Sequence, residues 1–173
     1  MSNRPPFEQL RVAVRADRFW EPYITACCSD EALPFSVHLA VCVEPYLTYM
    51  LQGEKTVESR FSAVRCPPYQ RVKEGDVILL KRAGGPVLGI CRVRQTWFFA
   101  LDPDSWKCIR RDFTQSLCAR DPTFWRCREN ASYATLMRID NILSIAPVRW
   151  AKRDRRGWVV VKSVAKTSMF ESA

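Results

Sequence analysis

Between residues 35 and 43 the stretch FSVHLAVCV is apolar and rich in β-branched side chains, with Pro34 and Pro45 on either side, and it predicts a buried strand. EPYLTYMLQG follows as a helix of two turns. Pro45 suits its first position, Tyr46, Leu47, Met50 and Leu51 share one face, and Gly53 suits the C-terminal cap. KTVESRF then alternates with period two. Thr56, Glu58 and Arg60 fall on one side of a strand and Val57, Ser59 and Phe61 on the other, so one side goes to core and the other to a cleft or to water. CPPYQRVKEGD reads as a loop closing on Gly75, and VILLKR and PVLGICRVRQTWFF as two strands joined by an AGGP turn.

From residue 102 the period changes. DPDSWKCIRRDFTQSL has Asp102 as N-cap, Pro103 in the first turn, and Trp106, Ile109, Phe113 and Leu117 at helical spacing; DPTFWRCREN repeats the Asp-Pro start. Residues 102–129 are therefore expected to be a helical insertion. SYATLMRIDNILSIAPVRW and GWVVVKSV return to strand character. Residues 1–35, interrupted by Pro22 and Pro34, read as a helical appendage, residues 36–165 as the principal domain and residues 166–173 as a tail. The expected class is α+β, a small barrel of about five or six strands, closed or nearly so, with flanking helices.

Composition narrows the function classes. A chain of 173 residues with 47% apolar content buries one sizeable core. No apolar run approaches the roughly 20 residues that cross a bilayer, and MSNRPPFEQLRVAV lacks a long apolar h-region, so a cytoplasmic protein with no membrane partner is expected. The eight cysteines include no CxxC pair; reduced thiols are expected, with Cys42 and Cys91 acting as small hydrophobes inside strands. Cys108, Cys118 and Cys127, even with His38, do not have zinc-site spacing, so no metal is expected. RAGGP lacks the Lys-Ser or Lys-Thr and the helix of a phosphate loop, and no cofactor is expected. The lone histidine, His38, lies mid-strand. It is expected to be a packed residue, and a two-histidine ribonuclease mechanism is excluded within one chain.

Charge points to a polyanion. Twenty-seven Lys and Arg against 18 Asp and Glu leave a net charge of +9. RWAKRDRR concentrates Arg149, Lys152, Arg153, Arg155 and Arg156 between Trp150 and Trp158, and KCIRR and FWRCR set Lys107, Arg110, Arg111, Arg126 and Arg128 beside aromatic residues. Single-stranded nucleic acid is bound by such mixtures, in which cations meet phosphates and rings stack on bases. The competing reading is that the arginines solvate helix faces and the rings are core. A protein-interaction module presenting Trp97, Phe98 and Phe99 is a third reading, and it leaves the charge unexplained.

EPYLTYMLQGEKTVESRF, followed by VKEGDVILLKR and GPVLGICRV, resembles the ASCH domain, a PUA-like β-barrel family linked to RNA. The ordered motifs span about residues 36–99, with a looser match over 130–163. The resemblance implies a cleft between the barrel and the helix after the first strand. It assigns Gly53, Lys55, Thr56, Glu58 and Arg60 to the motif bordering that cleft, and Gly75 and Asp76 to the GD step before a strand. Lys55, where the chain leaves the helix, is then placed to meet a phosphate or a polar base edge. Glu58 and Arg60 either fork onto a ligand or form an internal ion pair at the barrel rim. The expected partner is RNA or other single-stranded nucleic acid, or a nucleoside, with Arg149, Lys152, Arg153, Arg155, Arg156 and Trp158 extending the site.

The resemblance also admits an enzyme. Some ASCH proteins hydrolyse acetylcytidine, using the motif lysine with a threonine three residues later and a more distant glutamate. This chain keeps Lys55 but carries Glu58 in the threonine's place, which departs from that mechanism. A ribonuclease reading would use Lys55 and Arg60 to stabilise phosphate charge and Glu58 as base, with Glu129 as a candidate second acid.

Overall fold

The computed structural model describes residues 6–151 and 155–164. It contains α1 (Pro6–Val14), α2 (Trp20–Cys28), β1 (Val37–Cys42), α3 (Tyr46–Leu51), β2 (Val57–Ser62), β3 (Val77–Arg82), β4 (Val87–Ala100), α4 (Pro103–Phe113), α5 (Pro122–Arg126), β5 (Tyr133–Val148) and β6 (Trp158–Lys162). The strands form one mixed sheet in the order β2-β5-β4-β3-β1-β6, which curls into a half-barrel with flanking helices. Among the described residues β1 and β3 are the one parallel pair, and α3 and β2 lie in the connection between them. Three register shifts between the long strands β4 and β5 supply local bends of the kind that curl a sheet.

The two ends of the curled sheet, β2 and β6, are linked by a side chain: Arg60 Nη1 of β2 donates to the carbonyl of Gly157, just before β6, at 3.1 Å. The motif strand is thus an edge strand whose open side faces the mouth of the half-barrel.

Each sheet surface is closed by a different group of helices. Leu10 and Val14 of α1, and Trp20 and Ile24 of α2, are buried with Val37, Leu39, Leu79 and Ile90 in one core, so the N-terminal segment expected as an appendage shares the core of the sheet. Leu47 and Met50 of α3 pack with Ile78, Leu80, Val93 and Met137 in a second core. In the third, Val57 of β2 packs with Ile109 of α4 and with Phe124 and Trp125 of α5. The insertion therefore covers the outer side of the motif strand. It also packs against Trp97 and Phe99 of β4; these rings and Phe98 are half-buried, and the Trp97 ring lies 4.9 Å from that of Phe113.

Two local features position the motif. Gly89 in β4 lets α3 approach closely, since a Cβ there would come within 2.4 Å of Leu51 Cδ2. Gly53 then takes a left-handed φ of 78°, a conformation that favours glycine and turns the chain out of the helix. The helix begins at Tyr46, one residue later than expected, with Pro45 at the N-cap.

A buried polar network ties the strand ends together. Asp76 accepts hydrogen bonds from the backbone N–H groups of Ser36 and Lys73, each at 2.8 Å, and its Oδ2 lies 2.9 Å from His38 Nε2. His38 Nδ1 accepts from Trp158 Nε1 at 3.1 Å, so the imidazole proton sits on Nε2 and is donated to Asp76. His38 is a packed strand residue, and the GD step anchors β1, β3 and β6 to one another. Among the described residues no helix is long and apolar enough to cross a membrane.

Candidate functional site

The open side of β2 borders a cavity of about 360 Å³. Lys55, Glu58 and Arg60 come to it from the motif, Tyr46 and Met50 from α3, and Phe124, Cys127 and Arg128 from the insertion. Its volume lies at the small end of ligand pockets, which typically span about 300–1,000 Å³. The walls carry three cations, one carboxylate and three aromatic rings, those of Tyr46, Phe61 and Phe124.

The motif charges form a linked set at its base. Lys55 is 2% exposed and Glu58 6% exposed. Lys55 Nζ lies 3.1 Å from Glu58 Oε2 and donates to the Val57 carbonyl. Arg60 Nε lies 2.9 Å from Glu58 Oε1 as an ion contact, but off the line of a hydrogen bond, so this buried N–H has no hydrogen-bond partner among the described residues. Burial opposes the charge on Glu58, yet Lys55 and Arg60 outweigh it and hold the carboxyl below its ordinary value of 4.5. Of the two alternatives drawn from the sequence, the internal ion pair is present: Glu58 and Arg60 contact one another, and the pair borders the cavity.

Arg60 is held by more than Glu58. Its guanidinium carbon lies 5.2 Å from the centre of the Trp158 ring, and Nη2 approaches Cys42 Sγ at 3.6 Å. Burial pushes the Cys42 thiol up to about 12, so at neutral pH it is a neutral hydrophobe. The opposite wall is built by Arg128. Nη1 donates to the Phe124 carbonyl at 2.6 Å, while the guanidinium sits 3.8 Å from the Phe124 ring centre and 5.8 Å from that of Phe61. Burial draws the Arg128 pKa below its ordinary value, but no carboxylate pairs with it among the described residues. Arg128 is thus a half-buried, stacked cation on the cavity wall.

The remaining sequence-predicted residues separate into three places. Gly53 and Thr56 are exposed and do not line the cavity; Thr56 uses its backbone to join Ser116 and Ile139. Asp76 belongs to the anchoring network, and Gly75 before it takes a left-handed φ of 90° and donates its N–H to the Val93 carbonyl. Trp158 is 3% exposed with its N–H committed to His38, so it is not an open stacking platform, although it borders a second cavity of about 180 Å³. Arg149 lines a separate depression with Lys81 and Trp150. Arg155 and Arg156 are exposed, and Lys152 and Arg153 lie outside the described residues. Glu129 is exposed and does not line the motif cavity, which leaves Glu58 as the carboxylate there. Tyr46, Phe61, Phe124 and Arg128 complete the cavity without having been assigned to it from the motif; the FWRCR alternation of rings and cations was the signal that marked the last two.

The sequence matches no protein-family model and no curated protein. The fold is similar to that of ASCH from Zymomonas mobilis, with a TM-score of 0.53 and 14% identity over 65% of this chain and 72% of that one. A Tyr-to-Phe mutant of the same protein superposes with a TM-score of 0.53 and 14% identity, over 65% of this chain and 74% of that one. A Ser-to-Ala mutant gives 0.52 and 13%, over 65% and 72%. This chain has an ASCH-like, PUA-like α+β fold.

Proposed function

We propose that the protein binds single-stranded RNA and takes one nucleotide into the cavity between β2, α3 and the insertion. The observation that carries this reading is the lining itself: three aromatic rings beside Lys55, Arg60 and Arg128, against the single carboxylate of Glu58. Rings offer stacking surfaces to a base of any identity, and the excess cations meet its phosphate. Arg128 is the principal phosphate ligand, because Lys55 and Arg60 are already engaged by Glu58. The net charge of +9 and the RNA link implied by the ASCH resemblance support the same reading.

A second reading, hydrolysis of a modified nucleoside or of RNA, rests on the Lys55–Glu58 pair facing the cavity. Against it, a carboxylate stabilised in its ionised form by two cations is a weak general base.

Fluorescence anisotropy with labelled single-stranded RNA tests the first reading. Arg128→Gln is expected to weaken binding by roughly 10- to 100-fold, the equivalent of one charge-assisted contact. Unchanged binding in that variant, or no binding by the parent at low salt, contradicts it. Incubation with acetylcytidine tests the second; turnover abolished by Lys55→Ala would replace binding with catalysis.

A further inference from the structure

The nucleotide cavity does not end at β2. Arg60 and Phe61 are at once its wall and the wall of the 180 Å³ cavity between β2 and β6. That second cavity shares Cys66, Pro67 and Tyr69 with a third depression of about 290 Å³, lined by Arg65 and Arg71. Three hollows therefore follow one another across the sheet edge and along the loop of residues 63–72, each joined to the next by shared residues.

We propose that these hollows form one track for consecutive nucleotides of single-stranded RNA, with Arg65 and Arg71 as phosphate-binding residues and Tyr69 as a stacking surface. The proposal rests on the reading of the first cavity as a nucleotide site and extends it beyond the motif. Charge sets the direction. Arg65 and Arg71 are exposed, neither has a carboxylate partner among the described residues, and no acid lines their hollow. On the other side of the first cavity, beyond Tyr46, the neighbouring hollow sets Glu54 and Asp121 against a single Arg120, a balance that repels a polyanion.

The aromatic arrangement fits the same occupant. Tyr69 packs at 5.0 Å against Tyr133 and at 5.8 Å against Phe98, so its ring is braced and only half-buried. The Arg65 guanidinium lies 5.3 Å from the Tyr133 ring centre, which sets a cation beside the braced rings. At the shared wall Arg60 separates the first two hollows, where the phosphate between two adjacent nucleotides would pass.

The test measures binding of uridylates and cytidylates of one, two, four and six nucleotides to the parent, to Arg65→Gln/Arg71→Gln and to Arg128→Gln. Both substituted loop arginines are exposed, and thermal melting confirms that each variant is folded. The expected result is affinity that rises from one to four nucleotides. The loop variant, which removes two phosphate contacts, should lose about 100-fold or more for the tetranucleotide, and its salt slope should fall by about 1.4, while mononucleotide binding stays within about twofold. If mononucleotides bind and Arg128→Gln abolishes that binding, but neither length nor the loop arginines matter, the track is overturned and the nucleotide cavity stands. If no ribonucleotide of any length binds, both are overturned. Competition by polyglutamate as strong as by RNA of equal charge overturns the assignment of the track to RNA.

Discussion

Glu58→Gln removes one charge and almost no volume from the base of the cavity, and so isolates the ion set that the motif builds. In the parent, Lys55 Nζ has the Glu58 carboxylate at 3.1 Å and the Val57 carbonyl as partners, and the lysine is 2% exposed. The attraction between unit charges at that separation is about 5 kcal/mol at an effective dielectric of about 20. Stranding one member of a buried pair costs about 3–5 kcal/mol when measured by substitution. The Arg60 contact adds less, because that side chain is 20% exposed, reaches Gly157 and is screened by water. A loss of about 3–5 kcal/mol in a chain of this size lowers Tm by roughly 6–20 °C. Urea denaturation and a thermal melt followed by circular dichroism measure it. The double variant Lys55→Met/Glu58→Gln, which leaves no buried lysine unpaired, is expected to recover most of the loss. A Glu58→Gln variant melting within 2 °C of the parent would refute the buried ion set, as would a double variant no more stable than the single one.

Acid should act through the same carboxylate. The folded state holds Glu58 below its ordinary 4.5, so its contribution is complete above that pH and is lost as pH falls from about 4.5 toward the folded value. The parent should therefore lose stability more steeply than Glu58→Gln below about pH 4.5 in urea titrations; parallel profiles contradict the assignment. Gly89→Ala places a methyl against Leu51 and should cost about 1–3 kcal/mol by denaturation, with α3 displaced from β4. Asp102→Ala removes a reciprocal cap, in which Asp102 Oδ1 accepts from the Ser105 N–H at 2.7 Å, and should cost about 0.5–2 kcal/mol. Binding to single-stranded RNA should weaken steeply with salt, and Arg128→Gln should reduce the slope of log K against log salt by about 0.7; a salt-independent affinity would rule out phosphate-driven binding.

The elements most legible in the sequence are those written in local chemistry. The apolar run of β1, the Asp-Pro starts of α4 and α5, the cap at Gly53 and the alternation of β2 each report a backbone geometry that neighbouring residues decide. The alternation also placed Glu58 and Arg60 on one side, but it did not part core from cleft: Ser59 and Phe61 line the cavity as well, and Thr56 does not. Lys55 escaped it because the residue precedes β2 in the turn after Gly53, where strand periodicity does not apply, and its side chain turns inward to Glu58. The far wall of the cavity was beyond local pattern altogether. Phe124 and Arg128 reach Phe61 only because the insertion folds back over β2, a tertiary contact that FWRCR alone does not reveal. Trp158 reads in sequence as a ring beside a basic run, yet alternation along β6 turns it inward onto His38.

The central claim is that RNA occupies the cavity formed by β2, α3 and the insertion, and not the basic depression at Arg149 and Trp150. Photo-crosslinking with single-stranded RNA containing 4-thiouridine, followed by mass spectrometry of the attached peptides, distinguishes the two directly. The expected result is attachment at Tyr46, Phe61, Phe124 or Cys127, suppressed by Arg128→Gln. Attachment confined to Trp150 and its neighbours, with these cavity residues unmodified, would contradict the account.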